Sequence, residues 1–280
     1  MSTCSSCIES LDDMEWEAAS TFLVGEWALG VRSSTAELDA DLRRILAAHV
    51  IDLDAPANFS ALVSRGDDDE QVHGFHFLYR ASDTLVRTRT PRRIVRTLLH
   101  HLSDFAEPAA TTTLPRLAAV GLVANGRAVI APERIRAELP NVESRLNDAG
   151  VAIVDVPVLH LDPDDACLVV PEPALTIDRD ALADFERRHP PAPRELEPVA
   201  PGRYPLAAWA FTTEEHAAGP LGVAPAVAAG AQEVVNAAAV GAQAVLDGVA
   251  AVFSRVPAFG ISWANPAALG RRLVELSESR

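Results

Sequence analysis

The sequence predicts an α/β protein whose N-terminal part is of the α+β kind. Strand-like and helix-like periodicities follow one another along the 280 residues, and Asn125-Gly126 places a hairpin turn between two apolar runs. Hydrophobic residues make up 49% of the chain and charged residues 22%, close to ordinary globular usage. We therefore expect a folded chain with a real core and one or two domains.

The N-terminal part opens with a polar, acidic segment, residues 1–19, which we expect to be flexible. The runs TFLV and EWALGVR predict two short strands. Ser34 and Glu37 form a capping-box pattern, in which a hydroxyl and a carboxylate three residues later satisfy free amides at a helix start. The inward face of this predicted helix carries Leu38, Leu42, Ile45 and Leu46.

Two more strands and a helix complete the predicted N-terminal domain, residues 20–105. We expect one strand at Phe59–Ser64 and another in HGFHFLYR, where aromatic residues alternate along one face. Thr90 can cap the next helix, and Pro91 suits its first position because the amide that proline lacks has no partner there. Small residues and prolines between Ala106 and Pro115 break both periodicities and indicate a domain boundary.

The predicted second domain, residues 116–280, begins with the hairpin at Asn125-Gly126 and a helix that ends at Gly150. The runs VAIVDV, VLHL and CLVV have the continuous apolar character of buried strands. Prolines crowd residues 190–205, which predicts an extended linker. A strand LAAWAFT, Ala-rich helices near 224–238 and 242–254, and a closing helix capped by Asn265 with Pro266 at its start complete the prediction.

Charge and composition exclude several classes of function. The chain has 24 basic and 39 acidic residues, for a net charge of −15, and such a surface repels nucleic acids and anionic membranes. All of the basic residues are arginine, which excludes chemistry that depends on a lysine. No secretory signal pattern opens the sequence, and polar residues interrupt the apolar stretch Ala224–Phe253, so we expect a cytoplasmic protein.

Six segments carry a resemblance through their order and spacing: WALGVRSS, LYRASDTLVRTRTPRRIVRTLLHHL, GRAVIAP with the helix that follows, VLHLDPD, VPEPAL and RYPLAAWAF. Together they resemble the HPr kinase/phosphorylase-like family, specifically its shorter, kinase-like relatives associated with bacterial peptide natural-product clusters. The resemblance implies a P-loop/PEP-carboxykinase-like core, a mixed sheet flanked by helices, in the second domain. Because the bona fide kinases tend to form oligomers, it also leaves a homo-oligomer open.

The phosphate-binding loop departs from the pattern of this family. Relatives carry a Gly-rich run ending Gly-Lys-Ser/Thr after the strand that RAVIAP resembles, so that amides and the lysine hold phosphates. Here no glycine occurs between Pro132 and Gly150, and Leu139 stands where the lysine would fall. Glu133 and Glu138 would face the phosphates. Both carboxylates oppose anion binding.

The groups that would hold Mg²⁺ also differ. Pro140 and Asn141 replace the hydroxyl of the family pattern, and Asp155, Val156 and Pro157 stand where relatives carry Ser-Asp-Asp. Since phosphoryl transfer depends mainly on positioning and charge stabilisation, these losses predict a pseudokinase without a cofactor. We expect it to present a precursor peptide to a partner modification enzyme, or to activate that enzyme.

The alternative is an active nucleotide-dependent kinase or transferase that uses ATP and Mg²⁺. Arg134 and Arg136 would replace the lysine, since guanidinium groups bind phosphate bidentately, and Asn141 would complete the candidate ligand-binding set. Asp155 and His160 are the candidate catalytic residues, because a His-Asp pair can have shifted pKa values. A lone histidine in an apolar strand is, however, more often structural.

A basic helix and a cysteine pair remain as candidate sites. Arg80, Arg87, Arg89, Arg92, Arg93 and Arg96 form the dense basic cluster of an acidic chain. We expect Arg89, Arg92, Arg93 and Arg96 to bind an anion or an acidic peptide at the helix start, although a solvated helix face is the simpler account of any single arginine. Cys4 and Cys7 have the spacing of half a zinc site, but an incidental pair is the simpler interpretation.

Overall fold

The computed structural model contains two mixed sheets, of six and nine strands, with helices packed on them. The chain is thus a mixed α/β protein, as predicted. The residues that the structure describes are 11, 13–64, 74–106, 114–156, 158–193, 195–212, 219–261 and 271–276. The chain divides into two units: residues 1–107 with 173–193, and residues 108–172 with 194–280.

The elements follow one another in this order. The first part of the chain contains β1 (Ala18–Val24), β2 (Trp27–Ser33), α1 (Ala36–Ile45), β3 (Val50–Ile51), β4 (Ala57–Leu62), β5 (His76–Arg80), β6 (Asp83–Thr88) and α2 (Pro91–Ala106). Then come β7 (Arg116–Leu117), β8 (Ala119–Ala124), β9 (Arg127–Pro132), α3 (Leu139–Asp148), β10 (Ala152–Val154), β11 (Leu159–Asp162) and β12 (Cys167–Val170). The last part contains α4 (Arg179–Arg188), β13 (Gly202–Thr212), β14 (Gly219–Leu221), α5 (Val223–Gln232), α6 (Ala237–Val240), α7 (Ala242–Phe253) and β15 (Ala258–Ile261).

In the first unit, the sheet has the strand order β3-β1-β2-β4-β5-β6. Its neighbouring strands are antiparallel except β2 and β4, which are parallel. Helices α1, α2 and α4 contribute their apolar residues to one core with this sheet, in which Phe22, Phe59 and Phe185 are fully buried. The chain therefore returns to the first unit within residues 173–193, inside the range 116–280 that the sequence analysis assigned to one domain.

The caps of the first-unit helices confirm one prediction and correct another. Thr90 caps α2, because its hydroxyl accepts a hydrogen bond from the amide of Arg92 at 3.3 Å. The predicted cap Ser34 is wrong: Thr35 caps α1 and accepts from the amide of Leu38. The Ser34 hydroxyl instead exchanges hydrogen bonds with the backbone of Val63. The residue that follows β4 thus provides a partner that local sequence does not reveal.

Strand β5 buries the face opposite its aromatic one. Phe77 and Tyr79 share a face as predicted and stack with ring centroids 5.9 Å apart, but both are only half-buried. His76 and Leu78 point to the core. Strand β1 begins at Ala18, within the segment for which flexibility was expected.

In the second unit, the main strand path runs β10-β8-β9-β13-β12-β11-β7, and β15 pairs with β13 and β14. Alternate residues of β8 and β9 point to two different cores, one that includes α5 and α7 and one that includes α3. The hairpin prediction is confirmed, since Asn125 and Gly126 have φ values of 51° and 73° between antiparallel β8 and β9. The buried strands at β10, β11 and β12 are confirmed as well.

The Ala-rich region forms short helices. Helix α5 ends at Gln232, so the first predicted helix is shorter than 224–238, and α7 matches the second. Among the described residues, no helix is both long and apolar enough to cross a membrane. Residues 271–276 are helical, whereas Asn265 and Pro266, the predicted start of the closing helix, lie outside the described residues.

Candidate functional site

One edge of the second-unit sheet gathers the residues that the resemblance singled out. Strands β9, β13 and β15 are parallel neighbours, and β10 runs in the same direction because β9 and β10 are both antiparallel to β8. The carboxyl ends of such strands are where α/β sheets usually bind ligands. Glu133 and Arg134 directly follow β9, and Asp155 directly follows β10. We call these ends the carboxyl edge.

The segment after β9 is a turn of 3-10 helix, Glu133–Ala137, that leads into α3. Two apolar side chains hold it to the sheet, since Ile135 is fully buried and Leu139 is 3% exposed in the same core. Leu139, the residue at which the resemblance would place a lysine, therefore belongs to the hydrophobic core. A glycine-poor segment that packs this way cannot present a row of free amides to a phosphate.

Arg136 and Asn141, two of the predicted ligand-binding residues, contact acidic side chains of the chain itself. The Arg136 guanidinium donates to Glu133 at 2.8 Å and lies 4.0 Å from the Asp155 carboxylate, whose side chain is buried. The Asn141 amide donates to Glu138 at 2.9 Å at the start of α3. Carboxylates thus occupy the surroundings in which a phosphate would need cations and amides.

A residue that the sequence analysis did not single out, Glu233, also lies at this edge. It follows α5, and its backbone carbonyl accepts a hydrogen bond from the amide of Ala118, just before β8. Burial, and to a smaller extent the Glu133 charge, raise the pKa of Glu233 to about 7 against the opposing effects of a hydrogen bond from Trp209 and the Arg134 charge. No local pattern could have revealed it, because Glu233 is simply one polar residue in an Ala-rich run.

The remaining predicted site residues lie in other places. His160 is a half-buried residue of β11, opposite Val169 and Arg116 in the neighbouring strands. Cys4 and Cys7 lie outside the described residues. Cys167 is a buried free thiol of β12, and burial raises its pKa. A buried thiol with a raised pKa is a poor nucleophile and a poor metal ligand.

The arginines of the first unit are partly neutralised. Arg96 and Arg92 both face Glu186 of α4, at 2.6 Å and 3.6 Å. Arg93 is buried, with 6% of its surface exposed. The Arg89 guanidinium lies over the Phe75 ring, 4.9 Å from its centroid. One carboxylate therefore balances two arginines at the surface of the helix.

The first unit also contains a cavity of about 470 Å³ that no sequence motif indicates. Its wall comes from α1, the two residues after β4, the start of β5, the start of α2 and the end of α4. The lining residues are Thr35, Glu37, Leu38, Asp41, Val63, Ser64, His76, Pro91, Phe185 and His189. Glu37, Asp41 and His189 each place one potential ligand atom within 4.8 Å of the other two. This grouping could hold a cation.

Both histidines of the cavity favour the neutral form. Burial lowers the pKa of His76 to about 4, although a hydrogen bond with the Arg89 backbone opposes this, and His189 lowers it further. The ring of His76 also accepts a hydrogen bond from the amide of Ser64 at 3.0 Å, so it is a fixed part of the wall. Burial and then the Arg188 charge lower the pKa of His189, against the opposing effect of Asp41 and Glu37.

No family model matches this chain, and no curated protein or solved structure matches it.

Proposed function

We propose that this chain is a cytoplasmic pseudokinase of the HPr kinase/phosphorylase-like family, with a P-loop/PEP-carboxykinase-like core in its second unit. It acts by binding rather than catalysis, as an accessory protein that brings together a precursor peptide and a modification enzyme in peptide natural-product maturation. The order of its sequence segments supports the family. The mixed sheet, in which strand β9 is followed by a turn and then by helix α3, is compatible with this proposal.

One observation carries the loss of catalysis: the side chain at the lysine position, Leu139, is buried in the core. Phosphoryl transfer needs a cation at the transferred group, and a kinase without one loses the charge stabilisation that supplies most of its rate. Arg136 does not substitute for the lysine, because Glu133 holds its guanidinium at 2.8 Å. The two residues form a closed ion pair beside Asp155.

Calorimetric titration with ATP and Mg²⁺, and with Mg²⁺ alone, tests this proposal. We expect no binding heat up to millimolar nucleotide, a limit of about −4 kcal/mol. Micromolar, Mg²⁺-dependent binding would overturn it and favour an active kinase or transferase with a rebuilt phosphate site. If the chain does bind ATP, the double substitution Arg134→Ala with Arg136→Ala should abolish that binding. If the chain does not bind ATP, the same substitutions should leave the calorimetric result unchanged.

The basic surface at the start of α2, which we define as Arg89, Arg92 and Arg96, is the proposed contact for the partner. Among the described residues, Arg92 and Arg96 both contact the carboxylate of Glu186, so two positive charges face one negative charge there, which suits an acidic segment of the partner. Arg93 is left out of this surface because it is buried.

A fluorescently labelled peptide rich in Asp and Glu is a suitable probe of this surface. Fluorescence anisotropy should show binding that weakens with salt and is lost on Arg92→Glu with Arg96→Glu. Arg187→Glu is the control, since Arg187 is 73% exposed and belongs to the same unit but not to this surface. Equal affinity of all three proteins would exclude the basic surface as the contact, while leaving the proposed loss of nucleotide binding intact.

A further inference from the structure

We propose that the cavity of the first unit binds a divalent first-row transition metal, with Glu37, Asp41 and His189 as its ligands. The proposal concerns a different unit from the carboxyl edge, and it stands independently of whether the chain binds a nucleotide.

The fold brings these three residues together from two helices. Glu37 and Asp41 are one turn apart on α1, so their carboxylates share a face, and His189 is the residue that ends α4. One oxygen of each carboxylate and one ring nitrogen of His189 all lie within 4.8 Å of one another. Two ligand atoms that each lie about 2.1 Å from one ion are at most about 4.2 Å apart. The three ligand atoms therefore need to move only slightly closer together to hold an ion.

Asp41 provides a second, independent observation. Its side chain is only 6% exposed, and it lines the cavity. Arg188 donates to Oδ1 at 2.6 Å, but the buried Oδ2 has no hydrogen-bond partner in the described part of the chain. An unpaired buried carboxylate oxygen is costly, because the group loses water without gaining a donor. A cation in the cavity would satisfy it.

Arg188 and Arg44 both lie close to the carboxylates of the cavity, but they are shared among three of them. Arg188 lies 3.4 Å from Glu37 and 2.6 Å from Asp41, and Arg44 lies 3.4 Å from Asp41. Asp184 pairs with both arginines as well, so these two cations face three carboxylates. Arg188 and Arg44 both donate to Oδ1 of Asp41, so they hold this carboxylate in place while Oδ2 receives neither hydrogen bond. Groups that orient a ligand in this way are common around metal sites.

The donor set selects the class of metal. One imidazole nitrogen with two carboxylate oxygens suits Zn²⁺ or Mn²⁺, whereas Ca²⁺ and Mg²⁺ prefer oxygen ligands alone. Three protein ligands leave further coordination positions open to the cavity, as in metal sites that also bind water or a small molecule.

Titration of the chelator-treated full-length chain with Mn²⁺ and Zn²⁺ tests the proposal, with Mg²⁺ for comparison. All proteins carry Cys4→Ser and Cys7→Ser, because the cysteine pair is itself half a zinc site. We expect one ion per chain, with Mn²⁺ or Zn²⁺ bound more tightly than Mg²⁺. Glu37→Gln, Asp41→Asn and His189→Gln should each weaken binding about tenfold or more, since even indirect partners of metal ligands have effects of this size.

Two of the variants keep this test decisive. The Glu37 side chain is 75% exposed, so Glu37→Gln preserves the fold even if Asp41→Asn does not. Asp184→Asn is the matched control, because it also removes a carboxylate that pairs with Arg188 but is not one of the three ligands. The proposal is overturned if no ion binds, or if Glu37→Gln and His189→Gln bind as tightly as Asp184→Asn.

Discussion

The indole nitrogen of Trp209 donates a hydrogen bond to Oε2 of Glu233 at 3.1 Å, which ties the centre of strand β13 to the residue that follows helix α5. Trp209 is fully buried and packs against Phe211 and Phe253. The carboxyl group of Glu233 therefore sits at the end of an apolar, aromatic environment, which is why its pKa is raised to about 7.

This pKa predicts that Glu233 lowers the stability of the protein at alkaline pH. The folded pKa is about 7 and the ordinary value is 4.5, so between these pH values the folded state holds more protons than the unfolded state. Stability then falls as pH rises through this window, by about 3 kcal/mol at most. Urea unfolding of Glu233→Gln at pH 5 and pH 8 should show a gain over the natural protein at pH 8 only.

Trp209 offers an optical readout of the same titration. Its fluorescence should change with a midpoint near the raised pKa of Glu233, about 7, and this change should vanish in Glu233→Gln. The other tryptophans contribute a constant background in that comparison. If the free energies of unfolding of the natural protein and of Glu233→Gln change equally with pH, the loss of stability at alkaline pH does not come from Glu233.

Leu139→Lys, which introduces the lysine of the proposed family's pattern, should not create nucleotide binding. The Leu139 side chain is 3% exposed and points into the core, so a lysine there would bury an unpaired ammonium group. We expect a loss of stability of about 3–5 kcal/mol, measured by urea unfolding, and no binding heat with ATP and Mg²⁺. Leu139→Met, which conserves volume, should cost less than about 1.5 kcal/mol. A stable Leu139→Lys protein that binds ATP would show that the loop rearranges readily.

Gly30 should not tolerate a methyl group. A Cβ atom on this residue of β2 would lie 2.5 Å from the carbonyl oxygen of Pro56 and 2.7 Å from that of Ala55, both of which are backbone atoms. Gly30→Ala should therefore destabilise the protein by about 2 kcal/mol, seen as a lower urea midpoint. Gly219→Ala is the control, because a Cβ atom there meets nothing within 4 Å. If both substitutions have the same effect, the close approach of β2 and the residues before β4 is not rigid.

Local chemistry made much of the secondary structure predictable. The Asn125-Gly126 turn, the Thr90 cap and the positive φ of Gly150 after α3 all depend on the conformational preferences of a few neighbouring residues. The absence of glycine and lysine from the segment after β9 follows directly from the residue types in the sequence. The Ser34 cap was wrong because Val63, a distant residue just after β4, hydrogen-bonds with its hydroxyl through both backbone groups.

The sequence by itself determined the α/β class, most of the strands and helices, and the lack of glycine and lysine in the segment after β9, because these features follow from short-range spacing and residue type. Only the tertiary structure decided which residues share an environment. Helix α4 joins the first unit because Phe185 completes its core, and this places Arg188 beside Asp41, 147 residues away, and His189 beside Glu37. Folding likewise brings Arg136 to Asp155 and Trp209 to Glu233. Contacts between segments so far apart depend on packing and burial, which leave no periodic signal in the chain.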